Sequence, residues 1–266
     1  MTFSPHDLSH VLTSTRLDET HFELEVPLSW EQGKGAFGGL VVGALVKAAM
    51  QCEPDPVRSF RTVSSEIVGP VKTGAKASIV VELLRRGTGL TAFDVKLSQE
   101  GEGVLARATV TLAKKRTEDH AFDAVEKPII PSFEDALVAP VAPPMGPAFA
   151  QHFQFRPTRG FPFSGATESV TEGFISPLAC VQWGPAEWVA LADCYWPCIL
   201  ALETMPRPTS TIGFTLHLLR EPPRGPLFFR AKTLASRDGY ITDVRELFTL
   251  DGELVLINPQ VFAIVR

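Results

Sequence analysis

The run from Phe37 to Met50 (Phe-Gly-Gly-Leu-Val-Val-Gly-Ala-Leu-Val-Lys-Ala-Ala-Met) limits the possible folds more than any other part of the chain. It suits a helix of about three to four turns, and it is apolar almost all the way round, with Lys47 its only charge. A surface helix keeps a polar face, so this one has to be enclosed. It falls short of the roughly 20 apolar residues that cross a bilayer. The chain beyond it continues as a series of alternating, β-branched runs. The reading is a buried helix wrapped by an antiparallel sheet. Gly38 and Gly39 stand at its N-terminal end, where the missing side chains let a backbone or ligand approach unpaired N–H groups.

The first half reads as an opening strand over 22–28, the helix, and a four-strand meander. Pro27 places the end of the opening strand at a sheet edge. The meander runs over 60–68, 77–86, 90–98 and 104–113, with Gly-containing turns at Gly87 and Gly101. Residues 114–147 break the pattern. They open on Lys114, Lys115 and Arg116 and carry six prolines between Pro128 and Pro147. They form a connector that packs across the surface through Ile129, Ile130, Phe133 and Leu137. The second half repeats the first, with strands at 152–156 and 168–175, a mostly apolar helix over 187–202, and strands at 209–219, 227–235, 240–250 and 254–265. Asp238-Gly239 and Asp251-Gly252 are hairpin signals. Repetition of a whole unit predicts two curled sheets, each around a helix, joined edge to edge. The division is 1–115, 116–147 and 148–266.

Charge and cysteine usage bound the function. A net charge of -5 argues against a nucleic-acid partner. Cys52, Cys180, Cys194 and Cys198 show no paired framework and fit a reducing compartment. The N-terminal stretch has no basic and apolar leader regions, and no later segment is apolar enough for a membrane. The expectation is a cytoplasmic protein. Cys194 and Cys198 lack further ligands at metal-binding spacing and read as core, so no metal is expected.

Three polar residues stand out in apolar surroundings. Asp193 reads either as the N-cap of a helix or as a general base. Thr211 reads as an ordinary strand threonine or as a hydroxyl that bonds a water. Gln260 interrupts an apolar closing strand, and its amide has to be satisfied somewhere; Pro259 beside it points to a bulge or an edge. Gly38 and Gly39 serve either close helix packing or the binding of developing negative charge.

The order of elements, with Phe37-Gly38-Gly39 opening the first helix, resembles the tandem hotdog fold. More narrowly, the chain resembles the acyl-CoA thioesterase II family. The residues that carry the likeness are Phe37–Leu45, Val81–Gly87, Leu191-Ala192-Asp193, Ser210-Thr211-Ile212 and Asp251–Val255 with Gln260 downstream. The resemblance implies an α+β double hotdog that hydrolyses an acyl-CoA with water activated by Asp193, Thr211 and Gln260, without metal or cofactor. Phe37, Gly38, Gly39 and His217 would touch substrate, and the acyl chain would lie in an apolar tunnel between helix and sheet. It also implies a homodimer. The family's Asp-His pair after the hydroxyl residue is replaced here by Gly213 and Phe214. The alternatives are a non-catalytic acyl-CoA or lipid-binding protein, a hydratase, which would want a histidine near Asp193, and a structural assembly module with no acyl pocket.

Overall fold

The structure, a computed structural model, describes residues 4–265; residues 1–3, part of the N-terminal stretch read for a leader, and residue 266 lie outside it. A one-turn helix α1 (Leu8–Val11) and the short strand β1 (Thr15–Arg16) lead into β2 (His21–Glu25). A small hairpin of β3 (Glu31–Gln32) and β4 (Gly35–Ala36) precedes α2 (Gly38–Gln51). That helix is the apolar run. Its residues from Gly39 to Val46 are all buried, as are Ala48 and Ala49. Lys47 escapes along its stem to the Ser9 carbonyl (3.0 Å) and to Glu187 (3.4 Å).

The other strands of the first half are β5 (Ser59–Ile67), β6 (Lys76–Arg86), β7 (Leu90–Gln99) and β8 (Val104–Ala113). Their spatial order is β1-β2-β6-β7-β8-β5. The expected four-strand meander is therefore only three strands long: β5 pairs with β8, not with β6. Strand β5 leaves the C-terminal end of α2, so it starts on the far side of the sheet from β2.

The second half repeats this plan with β9 (Phe153–Arg159), β10 (Val170–Pro177), α3 (Pro185–Asp193), β11 (Thr209–Leu218), β12 (Leu227–Arg237), β13 (Tyr240–Phe248) and β14 (Leu254–Ile264). The order β9-β10-β12-β13-β14-β11 mirrors the first. β5 and β11 pair antiparallel, from Glu66 opposite Gly213 to Thr62 opposite His217, and fuse both halves into one 12-stranded sheet. The edge-to-edge join removes two open edges at once.

Helix α3 is shorter than the expected 187–202. Pro185 fixes φ at its start. It ends at Asp193 because Pro197 has no N–H for the Asp193 carbonyl, and a 3-10 turn over Cys198–Ala201 follows. Asp193 is thus the last residue of a helix, not the N-cap of one. The two helices run antiparallel in close contact. A Cβ on Gly43 would lie 2.7 Å from the Ala186 carbonyl oxygen, and one on Gly39 would lie 2.9 Å from that of Ala190. Glycine at both positions, one turn apart, lets the backbones touch.

The connector covers the outer face of the second-half sheet. Ile130 and Phe133 pack on a small core of Phe174, Phe228, Phe248 and Leu254. The Arg156 guanidinium lies 4.3 Å from the Phe133 ring and donates to the Phe133 and Ala136 carbonyls. Ile129 and Leu137, expected to pack, are instead exposed.

Replacing Gly43 with valine should force the helices apart against backbone. The expected cost is about 1–3 kcal/mol in denaturant unfolding. An unchanged midpoint would show that the helix contact is slack.

Candidate active site

The end of α3 delivers Asp193 to the start of α2. At its own helix C-terminus a carboxylate is disfavoured by the backbone dipoles, whereas at the α2 N-terminus it is favoured. The N–H of Gly39 donates to it. A Cβ on Gly38 would stand 2.9 Å from Asp193 Oδ2, and one on Gly39 2.8 Å from Asp193 Cβ. Both glycines are therefore needed for the carboxylate to sit on the helix end.

The rest of the shell comes from the inner face of β13 and β14. Gln260 Nε2 donates to Asp193 Oδ1 (2.9 Å) and to Asn258 Oδ1 (2.7 Å). Asn258 Nδ2 in turn donates to the Thr215 carbonyl at 2.6 Å. Arg245 Nη1 lies 3.6 Å from Asp193 Oδ1 and donates to the carbonyls of Ala192 (3.4 Å), in the last turn of α3, and Tyr195 (3.1 Å), just past its end. Asp243 accepts from the Cys198 N–H (3.0 Å) and the Thr233 hydroxyl (2.7 Å). Burial pushes the Asp193 carboxyl above the usual carboxylate range; Arg245, Gln260 and the Gly39 N–H pull it partly back.

Asp193 opens onto a cleft of about 500 Å³. Gly38, Thr211 and Arg245 share its lining with apolar walls that include Val41, Ile67 and Phe262, and the β3–β4 hairpin overhangs it. No histidine is among the described residues lining it. Thr211 reaches the wall because β11 carries a bulge at Ile212, immediately after it. The bulge expected at Pro259 thus falls on the neighbouring strand, and β14 lies inside the sheet between β11 and β13. Among the described contacts Thr211 makes no hydrogen bond to Asp193 or Gln260.

The structure therefore brings Asp193, Gln260, Gly38, Gly39 and Thr211 together. It does not bring Phe37 or His217 to the cleft. Phe37 precedes α2 and stacks face to face on Phe149, with ring centres 4.0 Å apart, as fully buried core. His217 is exposed: past the bulge, Phe214, Leu216 and Leu218 turn inward, so His217 turns out and meets the Thr62 hydroxyl at 3.1 Å. Neither lines the cleft.

The two halves, set against each other residue by residue, show why there is one such cluster. β5 and β11 carry matching bulges, after Phe60 and after Thr211. Counting pairs from them sets Thr211 against Phe60, Gln260 against Val110, Asn258 against Ala108, Asp243 against Phe93 and Arg245 against Val95. Every first-half counterpart is apolar and buried. Sequence reading missed Arg245, Asp243 and Asn258, and this alignment of the two repeats was the signal that would have found them.

Residues 26–113 match the family model of the acyl-CoA thioesterase N-terminal domain, and residues 133–264 match that of the acyl-CoA thioesterase C-terminal domain. No curated protein sequence is matched. Among solved structures, a conserved protein of unknown function with a hot dog fold from Alicyclobacillus acidocaldarius is 23% identical with a TM-score of 0.87, covering 97% of this chain and 98% of that one. An acyl-CoA thioesterase II, TesB2, from Mycobacterium marinum is 16% identical with a TM-score of 0.78, over 97% and 98%. The tesB protein of Mycobacterium avium subs paratuberculosis is 15% identical with a TM-score of 0.81, over 99% and 100%. These likenesses establish the tandem hotdog fold.

A carboxyl group whose folded-state pKa is raised stabilises the fold below its unfolded value of about 3.8 and loses that contribution as pH rises through the folded value. Asp193→Asn, which mimics the protonated form, should therefore match or exceed the native thermal midpoint at pH 7. Its advantage should vanish as the pH falls toward 3.8. Thermal unfolding across pH checks this, and an advantage that grew toward acid would reverse the assignment.

Proposed function

This chain belongs to the acyl-CoA thioesterase family and is a thioester hydrolase, and we propose that it cleaves acyl-CoA with a water activated by Asp193. The observation that carries the reading is a buried carboxylate on a helix N-terminus, open to an apolar-walled cleft. The water attacks the thioester carbonyl carbon and Asp193 takes its proton. The carbon–sulfur bond then breaks, the thiolate of CoA leaves and is protonated, and a carboxylic acid remains. Thr211, on the cleft wall, bonds the water. Gln260 orients the carboxylate, since its Nε2 donates to Asp193 and Asn258. With the Gly39 N–H engaged by Asp193, we assign the developing charge on the carbonyl oxygen to the Gly38 N–H. The acyl chain lies along Val41, Ile67 and Phe262.

The hotdog units are 1–115 and 148–266, joined by 116–147, with the catalytic residues contributed by the second and the helix N-terminus by the first. We assign the protein to lipid metabolism in the cytoplasm; its four free cysteines support a reducing compartment. A homodimer is the assembly we expect, and exposed Leu83 and Leu84 at the end of β6 support a partner surface.

Thiol release from a panel of short, long and aromatic acyl-CoAs tests the proposal. Asp193→Asn should lower kcat/KM by about 10²–10⁴-fold. Thr211→Val should lower kcat with less effect on KM. Full activity in Asp193→Asn would exclude this site. Tight acyl-CoA binding with no release by the native chain would favour the binding-protein reading.

A further inference from the structure

Arg245 is the charged residue beside Asp193 that the proposed reaction does not use. It is only 1% exposed, and an unpaired charge in such a place is costly. Its surroundings explain how it is kept. Nη1 meets Asp193 and the carbonyls of Ala192 and Tyr195, on either side of the end of α3. The guanidinium also lies against two aromatic rings, 4.9 Å from the centre of Phe262 and 5.8 Å from that of Phe229. Nε and Nη2 have no hydrogen-bond partner. The neutral donors that a buried carboxylate could use are already present in Gln260 and Gly39, so hydrogen bonding alone does not require an arginine here. A cation does something these donors cannot: it offsets the cost of an ionised carboxylate away from water.

We infer that Arg245 is a positioning residue for hydrolysis, holding the Asp193 carboxylate ionised and fixed to the end of α3. The inference rests on the reading of Asp193 as the general base. The other groups facing Asp193 do not supply this charge. From α2 come only the backbone N–H groups of Gly38 and Gly39, with Lys47 two turns away beside Glu187. From β11 comes Thr211, and from β14 the neutral Gln260 and Asn258. On β13, Asp243 is turned to Cys198 and Thr233. Beyond α3, the Cys194 and Cys198 thiols and the Tyr195 phenol are pushed up by burial and stay neutral. Lys34, on the β3–β4 hairpin, lines the same cleft but makes no ion pair with Asp193 among the described contacts. Arg245 is thus the one cation described in contact with the carboxylate, and Val95 stands at its position in the first half.

The test is the pH profile of kcat/KM for acyl-CoA hydrolysis by the full chain. Arg245→Gln keeps a donor for the Ala192 and Tyr195 carbonyls but removes the charge. Its acid limb should move to higher pH by about one to three units, the range an adjacent opposite charge supplies. Arg245→Lys should restore the limb to its native position, even where kcat stays low from lost geometry. KM should change little in either. If Arg245→Gln does not fold, Arg245→Met takes its place with the same expected shift. An acid limb unmoved in the neutral variants, or moved equally in Arg245→Lys, would overturn the inference. Asp193→Asn measured alongside separates the two claims: loss of hydrolysis there with an unmoved limb in Arg245→Gln defeats Arg245 alone, whereas hydrolysis surviving in Asp193→Asn defeats the general-base reading itself.

Discussion

The contact between α2 and α3 is what the rest of this structure depends on. Two glycines one turn apart, Gly39 and Gly43, let the backbones meet at the carbonyls of Ala190 and Ala186. Antiparallel helices at that distance bring the C-terminus of one to the N-terminus of the other. The opposed ends are electrostatically unlike, and a carboxylate set between them is attracted to the N–H side. Asp193 occupies that junction. The other end of the pair shows the reverse arrangement, with Lys47 from α2 beside Glu187 at the start of α3.

The sheet makes the junction lopsided. Both halves supply the same strands, in the same order, with bulges at equivalent places. The first half fills its inner face with Phe60, Phe93, Val95, Ala108 and Val110, which adds to the apolar core. The second half puts Thr211, Asp243, Arg245, Asn258 and Gln260 at those positions. Buried polar groups cost stability unless they satisfy one another, and several members here are tied to a backbone carbonyl or N–H as well as to a neighbour. In the proposed reaction one half of the repeat acts mainly as scaffold and donates a helix end, while the other carries the chemistry.

The connector illustrates a limit of reading apolar residues by type. Ile129 and Ile130 are neighbours of identical composition, yet one is exposed and the other lies on Phe174 and Phe228. In an extended segment adjacent side chains point to opposite sides, so only one of the two could face the sheet. Arg156 then fixed the segment in place through two carbonyls and a ring. On the other sheet face, a one-residue bulge at Ile212 reset the alternation of β11, sending Thr211 to the cleft and His217 to the outside. A resemblance in residue order could not foresee the direction of His217, because direction on a strand is a matter of parity from the last bulge.

The sequence by itself determined the enclosed helix, the strand runs, the duplication and the polar interruptions at Asp193 and Gln260. Each comes from local pattern: an all-apolar helix has to be covered, alternation of period two makes a half-buried strand, and a lone amide in an apolar run has to find a partner. The tertiary structure decided what those patterns leave open. It placed β5 beside β8, ended α3 at Asp193, laid that carboxylate on the N-terminus of a helix some 150 residues earlier in the chain, and set Arg245 against it. These are long-range outcomes, fixed by how closely two backbones can approach and by where strands meet, and no single segment of the chain contains them.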